Sequence, residues 1–235
     1  MRSFLLIGQS NMAGRAPIGS VPPIENPDCF MLRNGRFLGM HEPICNDRAA
    51  EGSVIGGIGP GASFADAVQK RFGGQVGLIP CADGGTKLAE WQPGEVLFEH
   101  MISEVRFAMR SSELAGILWH QGEGDCWDEA RTAAYRDGFL TMWHGIRKEL
   151  GIGDLPLMLG GLGDFLPLRH KANRIYSLAL NDTLKALAAE IPNAAFISAE
   201  GLTDRGDCLH FDGASQREFG LRYFAGYCRI LGENV

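Results

Sequence analysis

Five short apolar runs punctuate the chain, at residues 4–7, 75–81, 114–119, 155–159 and 194–198. Each is short and closes on glycine or polar residues, so each predicts a buried strand. Between them the apolar positions change to helical spacing. Residues 61–72 bring Phe64, Ala67, Val68 and Phe72 to one face, and residues 96–110 do the same with Leu97, Met101, Val105 and Ala108. Longer helices are predicted over 127–150, where Asp125 is a candidate cap, and over 171–191, which stops before Pro192. The last helix, 215–230, opens on Ser215-Gln216-Arg217-Glu218, which has the form of a capping box. Two further runs, 29–32 and 36–38, flank Asn34-Gly35 and predict a small hairpin within the proline- and glycine-rich stretch 16–60. Loops of that length are often functional, so this one is expected to wall a site.

Apolar strands alternating with helices predict an α/β fold: a doubly wound, five-stranded parallel sheet covered on both faces, a three-layer α/β/α sandwich. The glycine-rich polar segments all follow strands. Ligand sites of such sheets lie at the carboxyl ends of the strands, where one pocket can collect several loops.

Composition narrows the picture. The length of 235 residues fits one α/β domain spanning 1–235. The net charge of −6 and the lack of a basic stripe exclude nucleic acid as the main partner. No apolar stretch approaches the ~20 residues of a membrane helix. The first residues lack a secretory h-region and cleavage site, so a cytoplasmic protein is expected. The six cysteines form no C-x-x-C pair and match no zinc spacing, which predicts free thiols and no metal. Neither G-x-G-x-x-G nor G-x-x-x-x-G-K-[ST] is present, nor H-E-x-x-H nor G-x-S-x-G, so neither a nucleotide cofactor nor the usual α/β-hydrolase or metalloprotease chemistry is indicated. No cofactor is expected.

The candidate chemistry starts at Gly8-Gln9-Ser10-Asn11-Met12, directly after the first strand. A serine there is exposed at the sheet edge and becomes a nucleophile if a base reaches it. Among the six histidines, His210 stands out because Asp207 lies three residues before it, close enough to fold back and orient its ring. An oxyanion needs donors. Candidates are the backbone N–H groups of Ser10 and of Gly84 or Gly85 after the second strand, and the side-chain amide of Gln121 after the third. Each motif alone is weak, and turns or helix caps would account for any one of them.

Taken in order, Gly8-Gln-Ser-Asn-Met12, Gly84-Gly85-Thr86, His120-Gln-Gly-Glu123 and Asp207-x-x-His210 resemble the SGNH (GDSL-type) hydrolase superfamily. They are most similar to its sialate O-acetylesterase-like and acetyl xylan esterase branch, over about residues 3–228. The resemblance implies a flavodoxin-like fold and metal-free ester hydrolysis. Ser10 matches the nucleophile, His210 the general base and Asp207 its orienting acid, with Glu123 an alternative acid. Ser10, Gly85 and Gln121 match the oxyanion hole. The implied substrate is a small acetylated sugar, either an acetylated sialic acid or an acetylated xylo-oligosaccharide. A non-catalytic carbohydrate-binding relative is the alternative. Trp91, Trp127 and Phe165 are candidate platforms for a sugar ring, with packing into the core as the competing reading. Arg15, Lys87, Arg169 and Arg174 are candidate partners for a sialic acid carboxylate.

Overall fold

All five predicted parallel strands lie side by side in one sheet of a computed structural model, which describes residues 1–45, 47, 56–169 and 174–234, Arg174 by its backbone alone. They are β1 (Arg2–Gly8), β4 (Val76–Pro80), β5 (Glu113–His120), β6 (Leu157–Gly160) and β7 (Ala194–Ile197). The sheet has seven strands, not five. The predicted hairpin, β2 (Cys29–Arg33) and β3 (Arg36–Gly39), joins it and gives the order β3-β2-β4-β1-β5-β6-β7. β2 runs parallel to β4, with Cys29 opposite Val76 and Met31 opposite Leu78, and β3 turns back antiparallel at the edge. The physical reason lies in β2: Cys29 and Met31 are fully buried, so the strand extends the core rather than forming a detached flap.

Helices cover both faces. α2 (Gly61–Phe72) and α7 (Gly213–Ile230) pack together on one side, where Phe4 of β1 meets Phe64 and Tyr227 edge-on at 4.8 and 5.1 Å. α3 (Val96–Ala108), α4 (Glu129–Leu150) and α6 (Arg174–Glu190) lie on the other side, where Trp119 of β5 meets Phe139 of α4 at 5.6 Å. Two one-turn helices, α1 (Ser10–Ala13) and α5 (Leu166–Arg169), follow β1 and β6. The predicted start of the 171–191 helix lies outside the described residues. No helix among the described residues is long and apolar enough to cross a membrane.

Two helix starts differ from expectation. Asp212, not Ser215, caps α7 by accepting from the Ser215 N–H at 2.8 Å. The Ser215 hydroxyl instead accepts from the Thr203 N–H at 2.8 Å. Asp128, not Asp125, caps α4 by accepting from the Arg131 N–H at 2.9 Å. In both cases an aspartate further upstream or downstream has the better reach to a free N–H of the first turn.

The strand order places the site. From β1 the chain moves outward to β2 and β3, returns to β4 beside β1, and then crosses to β5 on the other flank of β1. That reversal opens a crevice at the carboxyl ends of β1 and β5.

Candidate active site

The crevice begins at Gly8, the last residue of β1, which pairs with His120 of β5. Its φ of 125° favours glycine, and a Cβ there would lie 2.0 Å from the His120 carbonyl oxygen. The chain can therefore turn sharply while staying against β5. Gln9 follows in extended conformation, and α1 starts at Ser10, with the Met12 and Ala13 N–H groups bonded to the Gln9 carbonyl. This turn aims the Ser10 hydroxyl at His210, whose Nε2 lies 3.0 Å from Ser10 Oγ.

His210 sits on a loop that shapes itself. Asp204 Oδ2 accepts from the N–H groups of Gly206 and Cys208, at 2.8 and 2.6 Å, and Cys208 takes a φ of 53°. Asp207 Oδ1 accepts from the N–H groups of Leu209 and His210, at 2.9 and 2.8 Å. Its Oδ2 meets His210 Nδ1 at 2.7 Å and accepts from Arg205 Nε at 2.8 Å. Burial pushes the Asp207 carboxyl up, but the His210 and Leu209 N–H groups, the imidazole and the guanidinium together hold it well below the usual carboxylate range. Burial also pulls the His210 imidazole below its ordinary value, against the opposing pull of Asp207. The ring is thus neutral and free to accept a proton at neutral pH. A serine, imidazole and carboxylate in this sequence of contacts can activate the hydroxyl as a nucleophile.

Glu123 has no hydrogen bond to His210. It is buried, and its Oε1 accepts from Asn11 Nδ2 at 2.5 Å and contacts His120 Nε2 at 2.9 Å. Burial pushes Glu123 up, while His120 and Asn11 draw it down to a net value below the usual range. Asn11 also donates to the Leu209 carbonyl at 3.0 Å and accepts from the Phe211 N–H at 3.2 Å. Leu209 and Phe211 flank His210. One side chain therefore ties the residue after Ser10 to both neighbours of His210, and Glu123 holds that side chain in place.

The candidate oxyanion donors separate as follows. The Gly84 N–H is spent on Asp47 Oδ2 at 2.8 Å, an oxygen that also receives Arg15. Gly85 is exposed, has a φ of 77°, and gives its N–H to no described residue. Gln121 is fully buried and its amide is already used. Its Nε2 contacts Asp125 Oδ2 at 2.6 Å, the Thr86 carbonyl at 3.2 Å and Gln9 Oε1 at 3.3 Å, and its Oε1 accepts from Tyr135 at 2.9 Å. Asp125, expected to cap a helix, spends Oδ2 on Gln121 and on the Leu88 N–H at 2.9 Å. Among the described residues no cluster of His, Cys, Asp and Glu is arranged to hold a metal ion.

A sequence profile described as carbohydrate esterase, sialic acid-specific acetylesterase, matches residues 1–229. The chain belongs to this family of carbohydrate esterases. It is similar to the probable carbohydrate esterase At4g34215 of Arabidopsis thaliana, at 28% identity over 96% of this chain and 91% of that protein. The crystal structure of that Arabidopsis protein superposes with a TM-score of 0.86, covering 97% of this chain and 98% of that one. NanS, 16% identical, superposes at 0.80 over 99% of this chain and 98% of its own. XAC1771, a carbohydrate acetylesterase from Xanthomonas citri, is 18% identical and superposes at 0.74 over 99% of this chain and 57% of that one. At these lower identities the likeness speaks for the fold alone, which is the SGNH-hydrolase fold expected from the sequence.

A carbohydrate esterase has to receive a sugar, and the three aromatic candidates for that role differ in exposure. Trp91 is fully buried, edge-on to Trp119 at 5.8 Å, with its Nε1 donating to Thr86 Oγ1 at 3.1 Å. Phe165 packs on Phe211 at 5.1 Å. Trp127 is half-buried against the core. Trp91 and Phe165 pack into the core, because their rings are buried against Trp119 and Phe211. Of the expected cations, Arg15 is paired with Asp47, Lys87 is exposed, and the Arg174 side chain lies outside the described residues. Arg169 is exposed and donates to the Asp207 carbonyl at 2.8 Å. Arg205, which sequence reading did not single out, bonds Asp207 and also the Arg15 carbonyl at 2.6 Å. Its position two residues before Asp207 was the available signal.

Proposed function

We propose that the protein is a serine esterase that removes O-acetyl groups from a small carbohydrate through an acyl-enzyme intermediate. The observation that carries this reading is the unbroken chain from Ser10 Oγ to His210 Nε2 at 3.0 Å and from His210 Nδ1 to Asp207 at 2.7 Å. In the first step His210 takes the Ser10 proton as Oγ attacks the acetyl carbonyl. The carbonyl π electrons move to oxygen, where the Ser10 and Gly85 N–H groups receive the charge. The tetrahedral adduct collapses, the bond to the sugar oxygen breaks, and His210 returns the proton to that oxygen. Water, deprotonated by His210, then releases acetate and frees Ser10.

Within this reading, an anionic acetylated sugar of the sialic acid kind is favoured over a neutral acetylated xylo-oligosaccharide. Arg169 and Arg205 both bond Asp207, so two guanidiniums stand at the rim of the catalytic loop with N–H groups that no described residue takes. A carboxylate accepts from such groups bidentately. The whole chain acts as one domain. A reducing cytoplasmic setting fits its six unpaired cysteines, five of them buried.

The test is acetate release from 4-nitrophenyl acetate, acetylated xylobiose and 9-O-acetyl sialic acid, with Ser10→Ala beside the wild type. Release by the wild type and none by Ser10→Ala is the expected result, with the sialic acid turned over best. A wild type inert on all three, or an active Ser10→Ala, sinks the mechanism. Preference for the neutral xylobiose would overturn the substrate assignment alone.

A further inference from the structure

The oxyanion hole described so far has two backbone donors and lacks a side-chain donor, since the Gln121 amide is committed elsewhere. Gln9, the residue before the nucleophile, is in the opposite condition. Its Oε1 accepts from the Gly124 N–H at 3.1 Å and contacts Gln121 Nε2 at 3.3 Å. The assignment of that atom as oxygen is secure, because both partners are donors. Gln121 Nε2 is itself identified by the Thr86 carbonyl 3.2 Å away, which only accepts. Gln9 Nε2 is therefore the end of the amide facing away from these donors, and no described residue accepts from it.

The side chain is only 3% exposed, yet Nε2 is not one of the sealed unpaired side-chain atoms among the described residues, which are Asp47 Oδ1, His120 Nδ1, Glu123 Oε2 and Gln216 Oε1. It is thus not sealed into the core. An amide held at one end by two donors, unpaired at the other and nearly withdrawn from water is a preorganised donor. It loses little on ordering and gains most when negative charge arrives. The side chain also bridges the two loops that border the hole. Its anchor Gln121 Nε2 touches Thr86, next to Gly85, and its other anchor is Gly124 of the loop after β5.

We propose that Gln9 Nε2 supplies the side-chain hydrogen bond to the oxyanion, and that Gln121 acts through Gln9 by holding its Oε1. This rests on the esterase reading above. Gln9 moves no proton in the step; it receives the charge that forms on the carbonyl oxygen as the Ser10 Oγ–carbon bond is made, and is released from it when the bond to the sugar oxygen breaks.

The experiment has two arms. Gln9→Glu keeps the size and the anchored oxygen but removes the donor; its kcat on 4-nitrophenyl acetate is expected to fall ~10²–10³-fold. KM is expected to stay within about threefold, since the bond forms only in the transition state. A kcat within about threefold of wild type overturns the proposal. The second arm does not depend on a variant folding: wild-type enzyme is reacted at Ser10 with a methylphosphonate and its structure is determined. The phosphoryl oxygen, standing in for the oxyanion, is expected within about 3.2 Å of Gln9 Nε2. A Gln121 Nε2 that has left Thr86 to reach that oxygen, with Gln9 remaining beyond hydrogen-bond distance, overturns it. A wild type that neither releases acetate nor labels at Ser10 defeats the esterase reading and this inference together. Normal activity and labelling with a negative Gln9 result defeat the inference alone.

Discussion

Replacing Asn11 by alanine should separate the assembly of the site from its chemistry. The side chain is almost fully buried and makes three hydrogen bonds, to Glu123 Oε1 at 2.5 Å, to the Leu209 carbonyl at 3.0 Å and from the Phe211 N–H at 3.2 Å. Asn11→Ala strands the buried Phe211 N–H and takes a donor from an ionised buried carboxylate. A buried group left unpaired costs ~1–3 kcal/mol, so the loss should be about 2–5 kcal/mol after partial relaxation. The catalytic cost follows from geometry. His210 loses the tether on both flanks, and a ~1 Å displacement of a reacting group costs on the order of 10²-fold. Urea unfolding followed by tryptophan fluorescence and kcat on 4-nitrophenyl acetate measure the two effects. Asn11→Asp isolates the Nδ2 donor, because it keeps an oxygen for the Phe211 N–H. It also sets a second carboxylate against Glu123. In the wild type the depressed Glu123 contributes stability above the unfolded carboxyl pKa and loses it as pH falls. In Asn11→Asp the pair binds a proton more tightly folded than unfolded, so its stability rises as pH falls. The gap between the two proteins should therefore narrow from about pH 7 to about pH 4. A loss in Asn11→Ala below about 1 kcal/mol with kcat within about twofold of wild type would refute this role of Asn11 as a tether of the His210 loop.

Asp207→Asn should lower kcat by about 10⁴-fold, because the amide favours the wrong imidazole tautomer; a loss under about tenfold would point to another acid. Since burial lowers the His210 pKa and catalysis needs the neutral ring, the acid limb of kcat/KM should have its midpoint below 6.5. Asp207→Asn should move that limb lower still, as the group that opposes the shift is removed, and an upward move contradicts the assignment. Gly8→Ala, with a Cβ 2.0 Å from the His120 oxygen, should lose more than about 4 kcal/mol and accumulate as insoluble protein; a soluble variant with wild-type Tm would disprove the close approach. Trp91→Phe should lower Tm and leave KM for acetylated sugars unchanged, whereas a raised KM at unchanged Tm would return Trp91 to the sugar site.

The sheet was legible because each core strand is an uninterrupted apolar run, a signal that does not depend on distant residues. The meeting of Ser10, Asp207 and His210 was legible for a similar reason: their contacts are local, or follow from loops gathered at one sheet edge. What the sequence left open depended on direction. Gln121 occupies the position after β5 where a donor is needed, but sequence cannot show that Asp125 and Thr86 claim its amide first. Trp91 lies in a carboxyl-end segment, yet a 3-10 turn over Leu88–Trp91 swings it inward to Trp119. Glu123 lies in the expected loop, and its partner is decided by Asn11, 112 positions away. The hairpin was found, but its joining to β4 is a long-range pairing that no local pattern announces.

Ser10 and His210 come from opposite ends of the chain, 200 residues apart, so no local element holds them at 3.0 Å. What holds them is a set of contacts that exist only once the sheet is closed: Asn11 to Leu209 and Phe211, Arg205 to the Arg15 carbonyl, and Gln216 Nε2 to the Asn11 carbonyl at 3.1 Å. Phe211 adds an apolar anchor, fully buried beside His120 and Phe219. The loop that carries His210 is shaped from within by Asp204 and Asp207, and its placement is fixed from without by these contacts. Its internal hydrogen bonds survive the loss of these outer contacts while the distance to Ser10 grows. Activity should therefore be lost before global structure as denaturant rises, because the reacting distance depends on a few tertiary hydrogen bonds, whereas the fold depends on the whole core.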